Sequence, residues 1–278
     1  DTTLKGFVGT VWWPNYLLGS ATRPDNVNSI YSGSDDITKV NLSYALNNDS
    51  MMYVTFSEGY RPGGANRTTQ LGATYDADFL ESKEIGFKSM LMDGRLRLNG
   101  ALYIMDWDDI QLGWFDSSIS LLGLVDNIGK AESDGTEIDL KYLVNDAVSI
   151  AVGFSENSTA LKEDYTLRGV VEARDGQDLP FTPDKKYNVT INVDITDTSS
   201  FQFNHVFVDE MWNDLFYDDR ELQDSYAISN MSFTTQLGDN STMQIYMDNV
   251  FDEVAELYIN SEDIERLSLI HISEPTRP

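Results

Sequence analysis

Three carboxylates crowd one short stretch of the chain, Asp106, Asp108 and Asp109, with Trp107 among them. Neighbouring carboxylates can divide acid and base work or hold calcium, but each task needs a partner arrangement. Neither arrangement is complete here, and the spacing lacks a calcium-loop pattern. A hydrated cluster at a strand end is the plainer reading, and Asp35–Asp36, Asp218–Asp219 and Glu262–Asp263 read as ordinary solvated pairs. His205 has a single histidine companion in the chain, His271. A histidine metal centre or a Ser-His-Asp triad would therefore hang on one residue. No G-x-S-x-G elbow, phosphate-binding glycine loop or cysteine occurs. No catalytic, cofactor-binding or metal-binding residue is nominated, and an enzyme is not expected.

Side chains suited to gripping an anionic or aromatic ligand do occur: Arg61, Arg67, Trp114, Phe115, Arg168, Arg174, Trp212 and Tyr217. Each can equally brace a loop, so none is nominated as a site. Arg61 stands in Tyr60-Arg-Pro-Gly-Gly64, where bracing nearby carboxylates is the expected role. Nearly all of them fall on long polar connections, and the elements between those connections must position them.

Those elements have a period of two. Tyr187, Val189, Ile191, Val193 and Ile195 alternate with Asn188, Thr190, Asn192 and Asp194, the signature of a strand with one apolar and one wet face. The same texture predicts strands over about 36–46, 51–59, 79–91, 96–110, 130–142, 147–157, 185–196, 200–212, 225–237 and 241–250. Asp93-Gly94 is a strong hairpin signal. Connections near 47–50, 92–95, 143–146, 197–200 and 238–241 are tight, whereas 60–78, 111–129, 158–184 and 213–224 are long and polar. Tight and long alternate strictly. In an antiparallel meander, this trims one end of the sheet and elaborates the other, as in transmembrane barrels.

Composition supports the same class. The 278 residues carry 46 acidic and 19 basic side chains, a formal charge of -27 that would repel phosphates and argues against nucleic acid. The lack of cysteine excludes a disulfide-stapled fold. Glycosylation-type patterns at Asn41, Asn48, Asn66, Asn157, Asn188, Asn230 and Asn240 are what an Asn-rich chain produces by chance. No signal-peptide pattern opens the chain, and no run reaches the ~18 apolar residues of a membrane helix. A β-strand, however, crosses a bilayer in ~9–11 residues with only alternate positions apolar. Hydrocarbon offers no partner to a free sheet edge, so such strands must close into a barrel, apolar face to lipid and polar face to the lumen. Tyr and Trp near many strand ends fit an aromatic belt. His205 fits less well, since it shares the parity of Phe201, Phe203 and Phe207; a bulge or an end location would reconcile it.

Several segments resemble the TonB-dependent outer-membrane receptors. FSEGYRPGG (Phe56–Gly64) looks like their strand-to-loop signature, and LESKEIGFKSMLMDGRLRLNGALYIMDWDDIQL (Leu80–Leu112) is closer still. Its matching residues are Glu84, Gly86-Phe87-Lys88, Asp93-Gly94-Arg95 and Trp107-Asp108-Asp109-Ile110. DNIGKAESDGTEIDLKY (Asp126–Tyr142), LPFTPDKKYNVTINV (Leu179–Val193) and DNVFDE (Asp248–Glu253) follow in order. The resemblance covers roughly residues 30–255. It implies an all-β, antiparallel transmembrane meander, part of a large outer-membrane β-barrel, in a Gram-negative bacterium. Residues 1–255 would be a partial barrel lacking the plug domain and early strands. Residues 256–278 form an atypical tail whose SLIHISEPTRP ending resembles translated adapter sequence. The family's work implies energy-coupled import of a scarce substrate such as a ferric siderophore. Its partners would be outer-membrane lipid, a small-molecule or metal-chelate ligand outside, and the inner-membrane TonB complex acting through the missing plug region. The alternatives are a porin-like channel or a secreted, acidic, β-rich binding or adhesion protein.

Overall fold

The computed structural model describes residues 33, 35–66, 74–114, 124–216 and 221–257. Ten long strands form one antiparallel sheet: β1 (Lys39–Ala45), β2 (Ser50–Arg61), β5 (Asp78–Leu91), β6 (Leu96–Asp108), β9 (Ala131–Asn145), β10 (Val148–Leu161), β13 (Lys185–Thr196), β14 (Ser199–Val208), β17 (Tyr226–Gln236) and β18 (Thr242–Met247). Each pairs with the next in chain order, so the sheet is a pure meander. The ten strands expected from periodicity are these ten. Several ends shift by three or four residues: the first strand starts at Lys39 rather than 36, and those expected to end at 142 and 157 run on to Asn145 and Leu161. The strand expected over 200–212 stops at Val208, and the one over 241–250 stops at Met247, where Asn249 and Asp252 take positive φ and turn the chain aside.

Eight short strands occupy the long connections: β3 (Gly64–Ala65), β4 (Thr74–Tyr75), β7 (Gln111–Trp114), β8 (Leu124–Asn127), β11 (Tyr165–Leu167), β12 (Val170–Ala173), β15 (Met211–Trp212) and β16 (Leu222–Gln223). They pair two by two, so each long connection carries its own small hairpin. The tight ends are simple turns. Met92, Asp93 and Gly94 all take positive φ, which closes the β5–β6 hairpin in the left-handed conformation expected of Asp-Gly.

Side chains sort by parity across the whole sheet. Val54, Ile85 and Leu102 lie in register on one face, and Ile138, Val152 and Val189 continue it. This face is apolar and open: Val54 is 51 %, Leu102 55 % and Ile245 59 % exposed. A continuous apolar face of this extent is incompatible with water and fits hydrocarbon. The opposite face carries Thr55, Glu84, Tyr103, Glu137 and Asn188, the polar set that fills a lumen.

The apolar band runs obliquely. On β2 its upper edge is Phe56, which lies opposite Lys83. On β18 it is Met247, whose row leads back through Met231, Phe203, Ile191, Ile150, Tyr142 and Leu96 to Leu91. Leu91 stands eight residues past Lys83 on β5, so the band slips about one residue per strand. With ~3.3 Å per residue and ~4.8 Å between strands, that slip corresponds to a strand tilt of about 35°. Membrane barrels tilt their strands by a similar angle. His205 belongs to this outer face, opposite Val189 and Ser229, and no bulge interrupts β14 against β17. The oblique edge puts it at the top of the band, which is the end location that its parity called for.

Candidate functional site

The polar groups of the long-loop end are tied to one another. Arg61, at the end of β2, reaches across to Asp78 at the start of β5 and donates through Nε (3.0 Å) and Nη2. Asp78 is only 2 % exposed, so its carboxylate depends on these partners and on the Gln111 amide N–H at 3.1 Å. Gln111 returns the tie: its side-chain amide donates to the carbonyls of Pro62 (3.1 Å) and Asp76 (2.9 Å). Asn66 binds Val125 reciprocally, its Nδ2 donating to the carbonyl and its Oδ1 accepting from the N–H. Arg61 thus has the expected brace, with its guanidinium also 5.5 Å from the Trp107 ring.

An apolar cluster underlies these ties. Ile110, Ile128, Ala131, Leu161, Tyr165, Ala173, Leu215 and Phe216 pack together, drawing on three of the four long connections. Tyr165 and Phe216 stack at 5.8 Å, and the Tyr165 hydroxyl donates to Asp126 at 2.5 Å. Burial, then the Asp126 carboxylate, push the Tyr165 hydroxyl well above the ordinary tyrosine range. Gln177 donates to the Leu215 carbonyl, and Gln223 to that of Glu256. The loop bases therefore form one cross-linked rim. This core was missed in sequence because no periodicity marks it.

Below the rim, the inner face has a recess of about 400 Å³. Tyr53, Lys88, Asn99, Glu137, Asp139 and Lys186 contribute its polar lining. Tyr53 donates to Glu84 at 2.6 Å, and Asp139 accepts from Arg97 (3.0 Å) and Asn99 (3.2 Å). Gly86 lets the Tyr53 ring lie flat on the wall, since a Cβ there would sit 2.5 Å from that ring.

The remaining candidates scatter. Arg168 occupies the left-handed turn between β11 and β12, while the Arg174 N–H donates to Gln177 and the Trp212 carbonyl accepts from Phe181. Arg67, Phe115 and Tyr217, with Asp218–Asp219 and Glu262–Asp263, lie outside the described residues, as does the Trp114 side chain. Asp106 and Asp108 are on the outer wall just above the apolar band, paired with Lys83 (3.7 Å) and Lys130 (2.7 Å). His205 Nδ1 lies 2.8 Å from the Ser229 hydroxyl, and its ring neighbours are Tyr187 and Phe203. Among the described residues, no group of three or more His, Asp or Glu is arranged to hold a metal ion.

Residues 14–250 match the family described as TonB dependent receptor-like, beta-barrel. The chain belongs to this family. Among curated relatives, the pesticin receptor of Yersinia pestis is 24 % identical over 226 residues, which is 79 % of this chain and 32 % of that protein. Among solved structures, the ferric yersiniabactin uptake receptor FyuA of Yersinia pestis superposes with a TM-score of 0.68 at 22 % identity. That match covers 83 % of this chain and 34 % of the receptor. The closed form of the ferric-catecholate import receptor Fiu of E. coli gives 0.66 at 20 % identity, covering 91 % and 37 %. The chain thus spans about a third of the length of these proteins. The barrel of a TonB-dependent receptor sits in the Gram-negative outer membrane, so the apolar band faces outer-membrane lipid and the long-loop end faces outward.

Proposed function

We propose that this chain is the wall of an energy-coupled receptor that imports a scarce iron chelate, a ferric siderophore or a close chemical relative. The observation that carries this reading is the combination of a lipid-facing band with an inner face lined mainly by polar side chains. Relatives named for pesticin, ferric yersiniabactin and ferric catecholate support the substrate class. Residues 1–255 would belong to the barrel and 256–278 would lie outside it. The cross-linked loop bases would hold the outer rim in shape while a ligand settles on it. Coupling to the inner-membrane TonB complex would run through a plug domain seated in the lumen. Among the described residues, neither edge of the ten-stranded sheet, β1 or β18, has a partner strand, and a closed wall would need further strands at both edges.

The test is uptake. The full-length receptor, expressed in a bacterium without its own ferric-siderophore receptors, is offered radiolabelled iron as ferric yersiniabactin, a ferric catecholate and ferric pyoverdine. Saturable uptake of at least one, abolished by a protonophore, is expected. Unsaturable passage of small solutes regardless of the proton gradient would make the protein a porin-like channel instead.

A further inference from the structure

The inner wall is divided into two unlike halves. On β5, β6 and β9 it carries Glu84, Lys88, Arg97, Glu137, Asp139 and Lys141. From β10 to β18 the texture changes, and β10 presents Ser149, Ala151, Gly153, Ser155 and Asn157 inward. Between Lys186 at the top and Asp194 at the bottom, β13 presents Asn188, Thr190 and Asn192 inward, and β14, β17 and β18 contain no Asp, Glu, Lys or Arg at all. In a chain with 46 acidic and 19 basic residues, five adjacent strands with so little inward charge are a marked departure. The polar groups there are amides and hydroxyls bonded sideways: Gln202 Nε2 to Asn192 Oδ1 (2.8 Å), Asn204 Nδ2 to Thr190 Oγ1 (3.0 Å) and Asn192 Nδ2 to Ser149 Oγ (3.3 Å).

The geometry points to this amide-lined half as the strip along which a polar chelate travels from rim to periplasm. The inference rests on the import reading above and adds the route. A ligand in transit must bind well enough to enter and weakly enough, at repeated sites, to leave. Neutral hydrogen bonds exchanged with water are each worth little net, so a row of them gives that exchange. Fixed charges at short range and lowered dielectric hold a complementary group much harder and repel a like one. The charged half is therefore suited to a resident partner that stays, and the amide half to a ligand that moves. Below the collar formed by Val206 and Ile228, the strip continues through Gln202, Ser232 and Thr234 towards the tight turns.

Single cysteines test the route, and this chain contains none of its own. In the full-length receptor, Gln202→Cys and Thr234→Cys probe the amide half, while Lys88→Cys and Asn99→Cys probe the charged half. Heat-modifiable migration selects variants that have folded. A membrane-impermeant maleimide is applied to whole cells with and without a proton gradient and the ferric chelate probes. Several-fold faster labelling at Gln202→Cys and Thr234→Cys only when gradient and chelate are both present is expected. The bulky adduct there should then lower uptake several-fold while leaving surface binding of the chelate unchanged, with neither effect at Lys88→Cys or Asn99→Cys. Chelate uptake with the reversed pattern, or with labelling that ignores the gradient, overturns the strip alone. A wild-type receptor that imports none of the chelates overturns the import reading and the strip together.

Discussion

Asp78 keeps its carboxylate almost out of water because Arg61 and the Gln111 N–H replace the lost hydration. Removing the charge in Asp78→Ala leaves both donors short of a partner, at a cost of about 1–3 kcal/mol. The loss should be local, read as faster hydrogen exchange and proteolysis near residues 62–77 and 109–114 with the barrel still heat-modifiable. Two glycines rank themselves by what a Cβ would meet. At Gly86 it meets the movable Tyr53 ring, whereas at Gly135 it meets the Glu156 carbonyl at 2.5 Å, which is backbone. Gly135→Ala should therefore cost more, within the roughly 1–3 kcal/mol range of overpacking, than Gly86→Ala. Urea unfolding of the full receptor in vesicles provides the comparison. Tyr165 supplies a pH test. Its hydroxyl is raised above its unfolded value, so its contribution to stability is complete below about pH 10 and declines as pH rises further. Phenolate absorbance should lose a late-titrating component in Tyr165→Phe.

At the scale of the strand, energy depends on which side of the wall a charge is placed. Val152 lies in the middle of the band on β10, and Asn188 is inward on the neighbouring β13. Val152→Lys should destabilise the barrel by about 2–4 kcal/mol, the cost of lysine at mid-membrane, and Asn188→Lys by much less. All ten wall strands were legible in the sequence because the period of two is local and both faces are compositionally distinct. Tight and long connections were equally legible, since Asp93-Gly94 and Gly238-Asp-Asn-Ser241 announce short turns. The rim was not. Asn66 meets Val125 and Gln177 meets Leu215 only because neighbouring loops converge in space, and sequence spacing carries no trace of that. His205 was anomalous in sequence for a related reason: its place at the edge of an oblique band depends on slips accumulated across the sheet.

Over the whole molecule, the excess of acid is distributed unevenly. The outer wall above the band pairs Lys83, Lys130, Lys162 and Lys185 with Glu81, Asp108, Glu132 and Glu156. Among the described residues, Lys88, Lys141 and Lys186 on the inner wall make no ion pair, and Lys88 lies over the Tyr53 ring instead. Such exposed outer pairs contribute little to stability, and screening by salt should leave the barrel's unfolding nearly unchanged. The arrangement as a whole depends on one face meeting lipid and the other meeting a water-filled or plugged interior. Nitroxide labels placed singly at positions 187–195 of the full receptor in a bilayer measure that division most directly. Oxygen, which partitions into lipid, should collide preferentially at 189, 191 and 193, and a polar nickel chelate at 188, 190 and 192, the two profiles alternating out of phase. Odd positions shielded from both reagents would mean a packed protein core behind the sheet and would contradict the account.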